Sequence, residues 1–313
     1  MRRMFFVPQL PVKGRYTKWW MNEFIKEFKE RFDEVIILGP DLISDFETDR
    51  ENFDFFTNRN NSLLLEIAQI EDYLDIKETL NDVLFFADLS YPGLFANVLF
   101  SKPFIGRKFA YCHATSKNKL DIFSDVRKSK FKVETGTSMI FNRVFVGSHY
   151  HKEKLGWSNT EVVRLPPPPE SIIYHYNSDK YINISSVSRV TPQKVNKKLE
   201  KKIEKQIGCE INRQTFTDHD EYSLFLSRSK VLFISSKEDT FNYTIMDAIR
   251  CGCVPVAPNK LCFPEILPPE YLYNDYIEAS QIIRKVLIGE LGVPEMICKD
   301  EVDNFFNNIC SFM

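Results

Sequence analysis

The stretch FISSKEDTFNYTIMDAIRCGCVPVAP runs from Phe233 to Pro258. It reads as an apolar strand, a polar turn, an amphipathic helix, a glycine and a second apolar strand. Two aspartates in it, Asp239 and Asp247, stand eight residues apart. The first falls at the mouth of the expected helix and the second two turns into it, a rise of about 12 Å if all eight residues are helical. Each acid has an ordinary account: Asp239 as a helix N-cap, Asp247 as one exposed helical charge.

The same strand–helix alternation extends in both directions from this stretch. Upstream, RMFFVP (3–8), EVIILG (34–39), DVLFFADL (82–89), KFAYCHA (108–114) and RVFVGS (143–148) read as short strands. Helical patterns at 17–32 and 60–80 and a short helix after residue 89 separate them. Wholly apolar strands alternating with helices predict a parallel sheet covered on both faces, a doubly wound domain. LPPPPE (165–170) then puts four prolines in a row, a stiff extended connector. Beyond it the alternation restarts with strands at 181–188, 210–216 and 231–236 and helices at 193–207 and 221–229. After the opening stretch, VPVAP and YLYND add two strands before a helical tail. The fold class expected is α/β, with two doubly wound Rossmann-like domains facing across a cleft. The expected divisions are 1–165, a hinge over 166–180, a second domain over 181–295, and a C-terminal helix over 296–313 that packs back on the first domain.

Composition sets outer bounds. The 313 residues suit two domains, and 43% hydrophobic with 27% charged residues is ordinary for a globular chain. A net charge of −2 gives no global field that would draw the chain to nucleic acid or anionic lipid. No apolar run is long enough to span a bilayer, and the N-terminal MRRMFFVPQLPVKG is too short and proline-broken for a signal peptide. A cytoplasmic location is expected. The seven cysteines are scattered, and Cys251-x-Cys253 lacks the second pair of a zinc site. Reduced core thiols are the better account. Lys, Asn, Ile and Phe usage fits an AT-rich genome such as that of a bacteriophage.

Open α/β sheets take ligands beyond the carboxyl ends of their strands. The loop SRVTPQK follows the strand at 181–188 and carries Arg189 and Lys194, five residues apart. Two cations beside a helix N-terminus make an anion site suited to a diphosphate; the competing account is a solvated basic face, since the next helix is rich in lysine.

Together, SRVTPQK, FISSKEDTFNYTIMDAIRCGCVPVAPN and FPEIL resemble the nucleotide-binding half of the retaining glycosyltransferases of the two-domain GT-B fold, the group 1 type. The family pattern is a Gly-Arg-Leu-x-x-x-Lys turn, then Glu-Gly-Phe-Gly, four residues, Glu-Ala-Met-Ala-x-Gly-x-Pro-Val-Val-Ala, and a Pro-Glu shortly after. The resemblance is firm over about residues 140–270, extending weakly into RVFVGSHYHKEKLGW and EVVRLPPPP, and rests on architecture alone in the first half. It implies that Arg189 and Lys194 hold the diphosphate of a sugar nucleotide, Asp239 or the adjacent Glu238 meets the sugar, and Asp247 meets the ribose. Backbone amides near Thr240, Phe241, Asn242 and Tyr243 then face phosphate or sugar oxygens. Both acids are glutamates in the usual pattern, Asn242 stands in a glycine's place with a positive φ expected there, and Ser188 replaces the glycine before Arg189. The glycine-rich N-terminal loop of the family is reduced to PVKGRY, whose one glycine is Gly14.

The resemblance further implies transfer with retention of anomeric configuration, the leaving phosphate taking the acceptor's proton, and no cofactor or metal, because Arg, Lys and helix amides neutralise the charge. His113, just past a strand, matches a histidine that contacts the donor sugar; a structural histidine is the alternative. Trp19 and Trp20 are either core or a stacking surface for a sugar or base. His149 and His151, two apart on a helix, point to different faces and do not suggest a metal site. The donor is a nucleoside-diphosphate sugar; the acceptor is a glycan, a lipid or a modified DNA base. The alternatives are a catalytically weakened sugar-nucleotide-binding module, a nucleic-acid-binding protein, and a nucleotide-sugar epimerase on the same fold. Alanine at Arg189 or Lys194 is expected to weaken donor binding tenfold or more with the fold intact.

Overall fold

The computed structural model of the chain describes residues 1–10, 16–39, 59–89, 94–120, 127–166, 174–176, 179–188, 191, 193–216 and 218–313. The chain divides into two compact units. One comprises Met1–Gly147, His151–Pro169 and Glu301–Met313; the other comprises Ser148–Tyr150 and Glu170–Asp300.

The first unit holds a six-stranded sheet of β1 (Arg3–Val7), β2 (Glu34–Ile37), β3 (Val83–Phe86), β4 (Arg107–Tyr111), β5 (Arg143–Val146) and β6 (Thr160–Val162). Its order is β2-β1-β3-β4-β5-β6, and every pairing is parallel. Interior strands of such a sheet are buried on both faces, which is why β3 is the unbroken apolar run VLFF with all four residues buried. The helices are α1 (Tyr16–Lys29), α2 (Arg59–Leu74), α3 (Leu94–Ser101), α4 (Arg127–Ser138) and α5 (His149–Leu155). Phenylalanines fill much of the layer between sheet and helix. Phe6 stacks on Phe85 at 6.1 Å, and Phe24 and Phe28 of α1 close on the same two rings.

The second unit repeats the plan with β7 (Ile182–Ser186), β8 (Asn212–Arg213), β9 (Ser229–Phe233), β10 (Val254–Pro258) and β11 (Leu272–Tyr273), all pairings parallel. Its order is β11-β10-β9-β7-β8. The chain winds from β7 to β8 on one side, then returns past β7 to β9 and continues outward on the other. The carboxyl ends of β7 and β9 therefore flank the point where the winding reverses, the place where doubly wound sheets bind ligands. The helices of this unit are α6 (Lys197–Ile207), α7 (His219–Ser227), α8 (Tyr243–Arg250) and α9 (Tyr276–Leu287); α10 (Lys299–Asp303) then crosses the division between the units, and α11 (Phe305–Ser311) lies in the first.

The glycine of the opening stretch ends α8. Gly252 adopts φ +68°, its amide bonds to Ile249 O, and the next amide, of Cys253, bonds back to Ala248 O at 2.8 Å. That is a Schellman termination, which favours glycine at the left-handed position. The chain leaves it directly into β10. At the other end, Phe305 and Phe306 of α11 meet the Phe24 ring edge-on at 5.6 and 5.4 Å, and Glu301 pairs with Arg164 at 2.8 Å, so the tail belongs to the first unit.

At the amino ends of β1 and β3, the fully buried Asp82 carboxylate receives Arg3 Nη2 and the Thr79 amide, both at 2.6 Å. Burial alone would raise the Asp82 pKa, but the bonds from Arg3 and Thr79 outweigh it and hold the group below its ordinary value. A depressed carboxyl stabilises the fold at pH above its unfolded pKa, near 4, and that contribution is lost as pH falls through the lower folded value. Asp82→Ala, which strands the Arg3 charge, should cost the first unit about 3–5 kcal/mol in denaturant titrations. The loss should shrink as the pH is taken below about 4.

Candidate functional site

The loops after β7 and β9 are bonded to each other before any ligand is considered. The carbonyl of Gln193 accepts the amides of Lys237 and Glu238 at 2.8 and 3.2 Å. Ser235 Oγ accepts the Asn196 amide at 3.0 Å and donates to Glu200 Oε1 at 2.6 Å. Arg213 Nη2 meets the same carboxylate oxygen at 2.6 Å, while its Nη1 donates to Ser188 O. Glu200, the only acid of the first turn of α6, is thus a buried post that ties β8, α6 and the β9 loop together.

On this frame Lys194 Nζ lies 2.8 Å from Asp239 Oδ2, and Asn242 Nδ2 donates to the same oxygen at 2.8 Å. Only 3% of the Asp239 side chain is exposed. Three expected site residues are therefore together at the winding reversal. Around them, Thr191 Oγ1, Ser236 Oγ and Asn242 Oδ1 are buried with no hydrogen-bond partner among the described residues. Buried polar groups without a partner are rare and costly, and these three lie on or beside the two loops that flank the winding reversal. Glu238, Thr240, Phe241 and Tyr243 are half-buried on the rim, with the Phe241 and Tyr243 rings edge-to-face at 5.7 Å.

Several sequence expectations change here. The helix begins at Tyr243, with Asn242 as its N-cap, and not at Asp239. Asp239 is no cap, because its carboxylate is taken by Lys194 and Asn242. Asp247 lies one turn into α8, and the estimate of 12 Å along a helix axis fails because Asp239–Asn242 is not helical. Asn242 has φ −131°, ordinary extended backbone, so nothing there calls for a glycine. Lys194→Ala cannot be a silent probe of binding, since it would leave a buried carboxylate without its cation. Arg189 lies outside the described residues.

Asp247 is buried, and not an exposed helical charge. Its Oδ1 accepts the Tyr174 hydroxyl and its Oδ2 the Tyr222 hydroxyl, each at 2.8 Å. Burial, then the Asp247 charge, pushes the Tyr222 phenol well above its usual value, keeping it a donor.

His113 belongs to the first unit, past the carboxyl end of β4. Its ring lies between Trp20 at 4.8 Å and Tyr111 at 4.6 Å, with Nε2 2.9 Å from Ala87 O. Burial lowers its pKa despite the nearby Asp88 and that carbonyl, which makes it a neutral ring held in a stack. Trp20 is spent in this stack and is 7% exposed. The thiols of Cys251 and Cys253 are free and buried, Cys253 pushed up to about 12 by burial. Among the described residues no cluster of three or more His, Cys, Asp or Glu side chains could hold a metal ion, and no helix is long and apolar enough to cross a membrane.

Three contributors were not foreseen. Glu265, of the Pro-Glu pair, accepts the amides of His149 and Tyr150, each at 2.8 Å, and Ser148 Oγ donates to Thr240 O at 2.6 Å. The Tyr150 phenol is raised first by burial and then by the charges of Glu238 and Asp239, which sets it beside the site. Only the GSHY and FPE signatures, read together, could have pointed to them.

The fold and site have counterparts among known proteins. The lipopolysaccharide outer core galactosyltransferase WaaB matches over 100% of both chains at 15% identity with a TM-score of 0.62. Anabaena HepE, solved with UDP-glucose, matches over 99% of this chain and 94% of its own at 12% identity and 0.60. S. aureus TarM, solved with α-GlcNAc-glycerol and UDP, matches 77% of this chain and 54% of its own at 13% identity and 0.50. These are GT-B glycosyltransferases, and the fold is GT-B: α/β with two doubly wound parallel sheets. No family model matches the chain. By sequence, it is 34% identical over 91 residues to the tRNA-queuosine alpha-mannosyltransferase of Drosophila melanogaster. That segment is 29% of this chain and 23% of that protein.

The Asp247 geometry gives a direct test. Tyr222→Phe removes one bond and should cost about 1 kcal/mol of stability. Asp247→Ala leaves two hydroxyls without their acceptor and should cost on the order of 2–4 kcal/mol. Equal, negligible losses in thermal unfolding would mean that the two phenols do not depend on this carboxylate.

Proposed function

We propose that the chain is a glycosyltransferase that takes its sugar from a nucleoside-diphosphate sugar bound at the β7/β9 reversal of the second unit. The observation that carries this reading is the Lys194–Asp239 pair ringed by the unpartnered Thr191, Ser236 and Asn242 atoms. A cation fixed by a buried carboxylate, beside hydroxyls and an amide oxygen with nothing to bond, fits a diphosphate carrying a sugar. It does not fit a packed core.

In this reading Lys194 and Arg189 stabilise the charge that grows on the leaving phosphate as the anomeric C–O bond breaks. The acceptor oxygen bonds to the anomeric carbon from the same face, and its proton passes to the departing phosphate, giving retention. The alpha products named for the Drosophila enzyme and for the TarM complex support that stereochemistry. Asp239 bonds its partners through Oδ2, which leaves Oδ1 for a sugar hydroxyl. Asp247 takes the ribose by exchanging the Tyr174 hydroxyl for a ribose hydroxyl. No metal enters this scheme.

For the acceptor we assign a hydroxyl of a modified nucleoside in RNA. The support is the 34% identity to a tRNA-modifying enzyme, against the 12–15% of the two full-length structural counterparts, which speaks to fold alone. A glycan or lipid acceptor is the second reading.

The decisive measurement is thermal shift with nucleoside diphosphates and their sugar conjugates, since a ligand that binds the folded state raises its melting temperature. One sugar nucleotide should stabilise the chain more than its parent diphosphate; no stabilisation by any of them sinks the proposal. Arg189→Ala should weaken that ligand tenfold or more, and Lys194→Ala should do so while also lowering the melting temperature of the free protein. Asp239→Asn should affect only ligands that carry the sugar. Tyr174→Phe frees Asp247 Oδ1 and should tighten the bare nucleotide roughly three- to tenfold, the value of one hydrogen bond. Weaker nucleotide binding in that variant would remove Asp247 from the ribose role.

A further inference from the structure

One feature of the second unit has no part in the donor site. Helix α6 reads KKLEKKIEKQI and begins three residues beyond Lys194. At about 100° per residue, Lys197, Lys198, Lys201, Lys202 and Lys205 fall within a single arc of about 140°. All five are exposed. The opposite side of the helix holds Leu199, Ile203 and Ile207, with Ile203 fully buried. The two acids of the helix lie outside the lysine arc, and both are committed elsewhere. Glu200 holds Arg213 and Ser235, and Glu204 Oε1 accepts the Ile211 amide.

Among the described residues, none of the five lysines pairs with a carboxylate. Lys202 instead sits over the Tyr276 ring at 4.9 Å. The neighbouring helix α9 prolongs the positive strip with the exposed Arg284 and Lys285, Arg284 being anchored on Gln206 O at 2.6 Å. Lysines three and four residues apart repel and weaken the helix they sit on. A chain with net charge −2 has carboxylates to intersperse, yet none interrupts this face.

We propose that the lysine face of α6 is a docking surface for the phosphate backbone of RNA. This rests on the reading of the protein as a transferase with an RNA acceptor. A bilayer is the poorer fit: helices that lie on membranes insert their apolar side, and the apolar side of α6 is used up inside the unit. What remains outside is charge alone, about 12 Å long from Lys197 to Lys205, enough to follow about three phosphates of one strand. Contacts of this kind position a nucleic acid without reading its sequence. The choice of nucleoside is therefore left to another surface.

The test is binding of labelled, unfractionated tRNA by the full chain between about 50 and 300 mM salt. It compares wild type with the triple variant Lys198→Glu, Lys201→Glu, Lys205→Glu, with co-sedimentation on anionic phospholipid vesicles as a parallel arm. For about three neutralised phosphates the log–log salt slope should be about −2 to −3. The variant should bind tRNA at least tenfold more weakly with a slope shallower by about 2, and its melting shift with the sugar nucleotide should be unchanged. Equal affinity and slope in the two proteins overturn the proposal, as does wild-type binding to vesicles but not to tRNA. If the wild type binds tRNA with the expected slope but is stabilised by no sugar nucleotide, the transferase reading fails and the docking surface stands.

Discussion

A carboxylate with 3% of its side chain in contact with solvent cannot stand alone. Taking an ion out of water costs several kcal/mol unless it is paired and hydrogen-bonded. Asp239 meets that demand with one cation from the loop after β7 and one amide from the head of α8. The pairing joins the two loops that flank the winding reversal, and the Gln193 carbonyl and Ser235 hydroxyl reinforce the joint through backbone amides. The electropositive group is therefore already oriented in the unliganded chain. Electrostatic catalysis is strongest where charges do not have to reorganise when the reaction occurs. The same burial makes Lys194 a structural residue, so its loss must show in stability.

Both acids of the opening stretch are one methylene shorter than the glutamates of the family pattern. At Asp247 the consequence is visible: two phenols come to the carboxylate, one from α7 and one from the segment that precedes β7. A buried acceptor bonded to two donors is satisfied, although its two oxygens keep lone pairs for a further donor. Tyr222 is fixed in the body of α7. Tyr174 lies on no helix or strand.

Much of the architecture was legible because parallel strands buried on both faces announce themselves as apolar runs. VLFF and VPVAP have no polar side to obscure the pattern. Element ends were less legible. SKEDTFN offers Ser, Asp and Asn as competing caps, and local sequence does not show that Lys194, 45 residues back, has claimed Asp239. Asn242 then caps by position, with no side-chain bond to an amide. The Asp247 contacts, across 73 and 25 residues, depend on how α7 and α8 lie in the fold and leave no trace in spacing. His113 was legible from its place after a strand, whereas the rings that stack on it, Trp20 of α1 and Tyr111 of β4, leave no local trace.

The charges of the second unit fall into two kinds, and the distinction matters more than the total. Those of the donor site are compensated: Lys194 by Asp239, Arg213 by Glu200. Their energy goes into holding loops in place, at short range and largely out of reach of salt. Those of α6 are exposed and pair with no carboxylate among the described residues, so they act over about a Debye length and weaken as ionic strength rises. A net charge of −2 conceals this arrangement, because the sum cannot tell a paired lysine from an unpaired one. A small donor is held by charges it touches, whereas a polyanion responds to a face that no carboxylate interrupts. The two kinds of lysine on this one unit, separated by three residues at Lys194 and Lys197, fit two ligands of different size.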